Sequence, residues 1–307
     1  MYILGFISDG LGNKLYMLTY YIHLYFKIKK YQKIDKIYLV SETSGHEQDN
    51  ENEKIYNIFP LLKKQDWLEW IDWEKYKILK KGIKQKITNT KIDKYDKIKL
   101  PLLYKGYVFS KYNFFKSYKF FSKLYTFNDN FHKLDKNYNF NGVAVHIRLG
   151  DKISYIYDHV ILNKRDNYTF TVLTPEYYRD HLKNFSLQTP VYIFTDSPKI
   201  FEKFYSKFIK HSYKLVNLNF YESFYLMSKF KNIILSDSTL GIFSSYFNVK
   251  DKKIYGHKYI YFAEKYKEAR YVKQKLLVDT SINVKSKKYY INENIKLLKE
   301  IYEFNSF

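Results

Sequence analysis

The chain has 307 residues, 46% of them hydrophobic, enough for two domains of ordinary size with substantial cores. It has no cysteine, no run of about eighteen apolar residues and no charged-then-apolar leader, so disulfides, thiolate metal sites and a membrane span are not expected and a reducing, cytoplasmic setting is. The formal charge of +22 is almost all lysine, in the usage of an AT-rich genome, and lies evenly over the two halves; a nucleic-acid module would gather it on one face or arm. Nucleic acid is therefore not an expected partner, whereas peripheral contact with the inner face of an anionic membrane is compatible with the charge.

In chain order, Ile3-Leu4-Gly5-Phe6 reads as a strand. It runs into the glycine turn Asp9-Gly10-Leu11-Gly12-Asn13 and then into an apolar helix from Leu15 to Tyr25. Such a turn lets backbone N–H groups approach an anion at a helix N-terminus. Lys36 to Val40 is a second strand, and Glu42 to Asn52, polar and acidic, an exposed loop. The three tryptophans, Trp67, Trp70 and Trp73, share one face if their segment is helical, either as a core stripe or as a stacking platform for a sugar. Asn137 to Asn141 reads as a linker between domains.

Val143-Ala144-Val145 is a buried strand that delivers His146-Ile147-Arg148-Leu149-Gly150-Asp151 at its carboxyl end, where open α/β sheets hold their ligands. The planar fork of Arg148 suits a phosphate, and Gly150 allows a sharp turn. An ion pair between Arg148 and Asp151 is the plainer alternative. Val191 to Asp196 is a strand ending in a carboxylate; Phe224 to Ser228 is a helix; Asn232 to Leu235 is a strand that empties into Ser236-Asp237-Ser238-Thr239 ahead of another apolar helix. The tail from Ile291 to Tyr302 has helical periodicity.

With these motifs in this order the chain resembles the α-1,2-fucosyltransferases and, more loosely, the wider fucosyltransferase group that includes the α-1,6 and protein O-fucosyl enzymes. His146 to Asp151 matches the family's H-x-R-x-G-D motif in full, and Gly10 to Asn13 its G-L-G-N loop. Val191 to Asp196 is similar to a strand ending in S/T-D-D, and Leu226-Met227-Ser228 with Asp237-Ser238-Thr239 to L-M-S followed by N-S-S/T. The likeness covers roughly the first 25 residues and most of 141–250. It departs at Leu240-Gly241-Ile242-Phe243, where the family has F-S-W-W, at Ser197 for a second Asp, at Asp237 for Asn, and at Ser223 for an Asp implicated in base recognition in relatives.

The resemblance implies an α/β protein of GT-B type, two Rossmann-like domains facing a cleft. Residues 1–140 would form the acceptor-side domain, 141–275 the nucleotide-sugar-binding domain, and 276–307 a helical tail packing back on the N-terminal domain. It implies an inverting, metal-independent transferase that moves L-fucose from GDP-fucose to a hydroxyl, the 2-OH of a galactose-like residue, of an oligosaccharide or polysaccharide acceptor. The GDP-sugar is then a substrate, and no cofactor is expected, since no Asp-x-Asp metal motif is present. Arg148, Gly10, Gly12, Asn13, Ser238 and Thr239 would clamp the diphosphate electrostatically, with Asp196 and Asp237 beside them. Lys152 would steady the leaving phosphate and His146 orient Arg148 or the pyrophosphate. Asp9, Asp151 and Asp158 are the candidate general bases. A transferase for another nucleotide-linked sugar, or a non-catalytic carbohydrate- or polyanion-binding protein on the same scaffold, is the alternative.

Overall fold

A computed structural model of the chain describes residues 1–8, 10–41, 51–88, 92, 94–105, 122–162, 172–247, 252–256, 276–278 and 295–305. The chain divides into two compact units, Met1–Lys133 and Leu134–Phe307. The passage between them lies upstream of the boundary expected at residue 140. Asn139 belongs to the second unit, where its amide donates to the Tyr192 hydroxyl at 3.0 Å, so the segment expected to be a linker is part of that unit's packing.

The first unit is built on a parallel sheet of β1 (Tyr2–Ile7), β2 (Lys36–Ser41), β3 (Leu68–Trp70), β4 (Gln85–Thr88) and β5 (Leu102–Lys105), in the order β3-β2-β1-β5-β4. β1 is apolar throughout, as a strand covered on both faces must be. Helix α1 (Leu11–Ile28) is buried at almost every position to Tyr25, which fits its apolar sequence on all sides. Tyr21 of α1 lies against β1. Its hydroxyl accepts from the Phe6 amide at 2.9 Å and donates to the Phe6 carbonyl at 2.8 Å. A Cβ on Gly5 would come within 2.6 Å of the Tyr21 ring, so only glycine admits this close approach.

Two expectations change here. Helix α2 (Glu51–Ile58) begins inside the stretch expected to be a loop, whose remainder, 42–50, lies outside the described residues. The tryptophans do not share a helix: Trp67 precedes β3, Trp70 ends it, and Trp73 starts helix α3 (Trp73–Lys80), capped by the Asp72 carboxylate. Their surroundings differ accordingly. Trp67 stacks on Tyr25 with ring centres 4.9 Å apart, whereas Trp73 is 39% exposed and leans on Phe6 and Tyr76.

The second unit carries β6 (Val143–Ile147), β7 (Val191–Thr195), β8 (Tyr213–Leu215), β9 (Asn232–Ile234), β10 (Lys253–Gly256) and β11 (Leu276–Val278) in one parallel sheet, ordered β11-β10-β9-β6-β7-β8. Three strands, β9, β10 and β11, lie on one side of β6 and two, β7 and β8, on the other, the doubly wound Rossmann order. The order reverses between β6 and β9. Helix α4 (Gly150–Tyr155) follows β6 and widens into a π-type turn over Ile156–Leu162. Helix α5 (Pro175–Leu182) puts Tyr177, Tyr178 and Leu182 into the core; α6 (Phe220–Lys229) and α7 (Thr239–Ser245) flank β9 in sequence.

The described residues of the tail contribute a strand and a helix to the second unit. Leu276–Val278 pairs with β10, and helix α8 (Ile295–Asn305) places Leu298 and Ile301 in the core of the second unit, with Tyr302 stacked on Tyr157 at 3.7 Å. The reason is its apolar stripe, which finds β6-side partners such as Ile153 and Ile156. Among the described residues no helix is long and apolar enough to cross a membrane.

Candidate functional site

β6 is fully buried, and its chain emerges at Arg148. The crevice outside the carboxyl ends of a doubly wound sheet, where the strand order reverses, is its natural ligand site. Here that place lies between the turn after β6, residues 148–151, and the turn after β9, residues 235–238. The motif read from sequence therefore stands at the switch point.

Parallel pairing with β7 ties this turn down. Ile147 lies beside Thr195, so Asp196 and Ser197 fall next to Arg148, Leu149 and Gly150. One Asp196 oxygen accepts from the Leu149 amide at 2.9 Å, and the other pairs with Nη1 of Arg148. The Gly150 amide donates to Oγ of Ser197 at 3.0 Å. A Cβ on Gly150 would stand 2.6 Å from that second Asp196 oxygen, which explains why the motif carries glycine there. Nη2 of Arg148 donates to Asp151 at 2.5 Å. The guanidinium is one-third exposed, Asp196 24% and Asp151 54%.

Asp196 thus acts on the protein itself: it fixes the arginine and the turn. The backbone N–H groups of Leu149 and Gly150 are likewise already engaged by Asp196 and Ser197. The anion-attracting element of the turn is the guanidinium, which has five N–H donors and gives two of them to carboxylates.

His146 is 6% exposed, and its Nδ1 lies 2.9 Å from Oγ of buried Ser236, joining β6 to the turn after β9. Its hydrogen bond does not go to Arg148. Burial first, and the charges of Arg148 and Lys152 second, push its imidazole down to about 3, so the ring is neutral at ordinary pH. Gly241 of α7 lies against the same ring; a Cβ there would be 2.4 Å from Nδ1. The Leu240-Gly241-Ile242-Phe243 segment is therefore shaped around His146. Ser236 was not legible as a partner, because nothing local links it to a residue 90 positions away.

The remaining predicted residues fall in different settings. Lys152 and Asp237 are buried, at 7% and 6% exposure, while Ser238 and Thr239 are half-buried at the start of α7. Asp158 accepts from the Tyr302 hydroxyl at 3.4 Å. In the first unit Gly10 is the exposed residue preceding α1, at φ −68° and ψ 164°, with no side-chain cap; Gly12 is buried and Asn13 half-buried in its first turn. Asp9 lies outside the described residues.

A buried cation passed over in the sequence completes the second unit. Lys252, 3% exposed, directs Nζ to the carbonyls of Ser228 at 2.8 Å and of Met227 and Ser244 at 3.4 Å, capping the C-terminal turns of α6 and α7. Loss of water pushes its ammonium down to about 7.

The architecture and this turn define the chain as an α/β protein of two parallel-sheet units, the second doubly wound with an arginine at its switch point. No family model matches the chain, and no curated protein matches it. Among solved structures it is similar to the glycosyl transferase family 9 protein from Veillonella parvula DSM 2008, at 11% identity and a TM-score of 0.39, over 83% of this chain and 80% of that one.

Proposed function

We propose that the chain is a GT-B-type glycosyltransferase that moves L-fucose from GDP-fucose to a hydroxyl of a glycan acceptor with inversion and without a metal. The observation that carries this reading is Arg148, held by Asp196 at the switch point of a Rossmann-ordered sheet within an uninterrupted H-x-R-x-G-D motif. A diphosphate leaving group needs concentrated positive charge, and a pre-oriented guanidinium supplies it. Ser238 and Thr239, at the start of α7 after β9, add hydroxyl donors on the other side of the switch point. Asp151, beside Arg148, and Asp9 and Asp158 are the candidates for deprotonating the acceptor. His146 and Asp196 position; neither takes the acceptor proton.

A different GDP- or other nucleotide-linked sugar is the second reading. It is favoured by Ser223, which stands where the fucosyltransferases that the chain resembles often have an Asp implicated in base recognition.

Thermal melting tests both. GDP is expected to raise the melting temperature with EDTA present, by about 2.7 kcal/mol of stabilisation at a hundredfold excess over its Kd. A requirement for UDP or for a divalent ion would overturn the fucosyl reading, and a screen of nucleotide sugars for hydrolysis would name the donor.

A further inference from the structure

The charges around Arg148 set a problem for any anion that binds there. Asp196 and Asp151 both contact the guanidinium, so its single positive charge already faces two negative ones. A phosphoryl group brought against all three would meet a net negative centre. One carboxylate has to give way, and the geometry distinguishes them. Asp196 is the more buried, and it also holds the Leu149 amide at 2.9 Å, with the neighbouring Ser197 fixing Gly150. Asp151 contacts Arg148 through one oxygen, is more than half exposed, and sits in the first turn of α4, where rotation of its own side chain releases the contact without moving the backbone.

Resting on the reading of Arg148 as the diphosphate ligand, we propose that Asp151 is a placeholder: its carboxylate occupies Nη2 of Arg148 until a phosphoryl oxygen of the nucleotide diphosphate replaces it, while Asp196 remains as the permanent anchor. The exchange is a swap of one acceptor for another on the same donor. It keeps the guanidinium in its binding orientation at all times, and it sets the affinity of the site below what Arg148 alone would give. Asp196 and Asp151, paired with the two terminal nitrogens of one guanidinium and similar in chemistry, then have opposite effects on binding.

Titration calorimetry with inorganic pyrophosphate and with GDP, at one fixed salt concentration, tests this on the full chain. Asp151→Asn is expected to bind both about fivefold more tightly, since an exposed ion pair of this kind competes on that scale, with the gain in the association rate. Asp151→Glu, which restores the charge, should return towards the wild-type value. Asp196→Asn should bind at least tenfold more weakly, because the arginine loses its anchor. If the wild type binds, Arg148→Lys weakens binding and Asp151→Asn leaves it unchanged or weaker, the placeholder is refuted while the role of Arg148 stands. If no variant and no wild-type protein binds either probe, the phosphate reading of Arg148 falls and the placeholder with it.

Discussion

The two units each contain a strand, a glycine turn and a helix, yet the turns differ in kind. After β1 the chain passes through Gly10 into the long helix α1, with no side-chain cap and the helix bonded to itself from the Gly10 carbonyl onward. After β6 the turn is bound sideways to β7: Asp196 and Ser197 take the amides of Leu149 and Gly150, and the guanidinium of Arg148 is oriented between two carboxylates. The same local pattern therefore yields a helix start without a side-chain cap at Gly10 in one unit and an electrostatically built turn in the other. What separates them is the neighbouring strand, which in the second unit ends in Thr195-Asp196-Ser197 at the level of the motif.

The change expected to break this comparison most severely is Arg148→Lys. It keeps the charge and removes the fork, and turnover should fall at least about a hundredfold. Near-normal turnover, measured with saturating donor and acceptor, would reduce the second turn to a surface ion-pair cluster.

Alanine at three glycines separates closely packed positions from an open one. Gly5→Ala and Gly241→Ala drive a methyl into Tyr21 and His146 respectively and should each cost about 1–3 kcal/mol in urea denaturation. Gly10→Ala meets nothing within 4 Å and has an ordinary φ, so stability should change by less than about 0.5 kcal/mol. A loss of GDP affinity in that stable variant would place the ligand against the first turn.

The tryptophans sharpen the first unit by themselves. Trp67→Ala removes a ring stacked on Tyr25 and set edge-on to Phe26 and should cost about 3 kcal/mol; Trp73→Ala, at a 39% exposed position, about 1 kcal/mol. Equal losses would contradict the separate environments described for them.

Two further effects are in pH. His146 resists protonation down to about 3 in the folded chain, whereas an unfolded histidine takes its proton near 6.5. The unfolded state binds more protons across that window, so stability falls as the pH drops from 6.5 towards 3. Lys252 works by the same rule at the other end: folded near 7, unfolded near 10.5, it makes stability rise between those values. Lys252→Met should flatten the alkaline rise in a series of urea melts and leave the acid limb alone.

Much of this was legible in the residues. Val143 to Val145, Val191 to Phe194 and Asn232 to Leu235 are apolar runs bounded by polar turns, and burial of such a run in a parallel sheet needs no distant information. Gly10 and Gly150 do mark the two places where a strand gives way to a helix, but Gly10 has an ordinary φ and open space around it, and the need for glycine at 150 comes from the approach of Asp196. The short edge strand Gln85–Thr88 was not visible, because half-exposed alternation over four residues is too weak a signal against its lysine-rich surroundings. The tryptophan stripe failed for a related reason: a spacing of three suits a helix, and only the pairing of Leu68–Trp70 with β2 shows that the chain is extended there.

By itself, the sequence determined where β1, β2, β6, β7 and β9 lie and that an arginine follows the central strand of the second half, since apolar runs, glycines and charge are local properties. Only the tertiary structure decided what that arginine touches. Asp196, Asp151, Ser236 with His146, and Gly241 behind the ring come from four segments brought together by the strand order, and whether a guanidinium is free, clamped or shared depends on distances between parts of the chain that local physical chemistry does not relate.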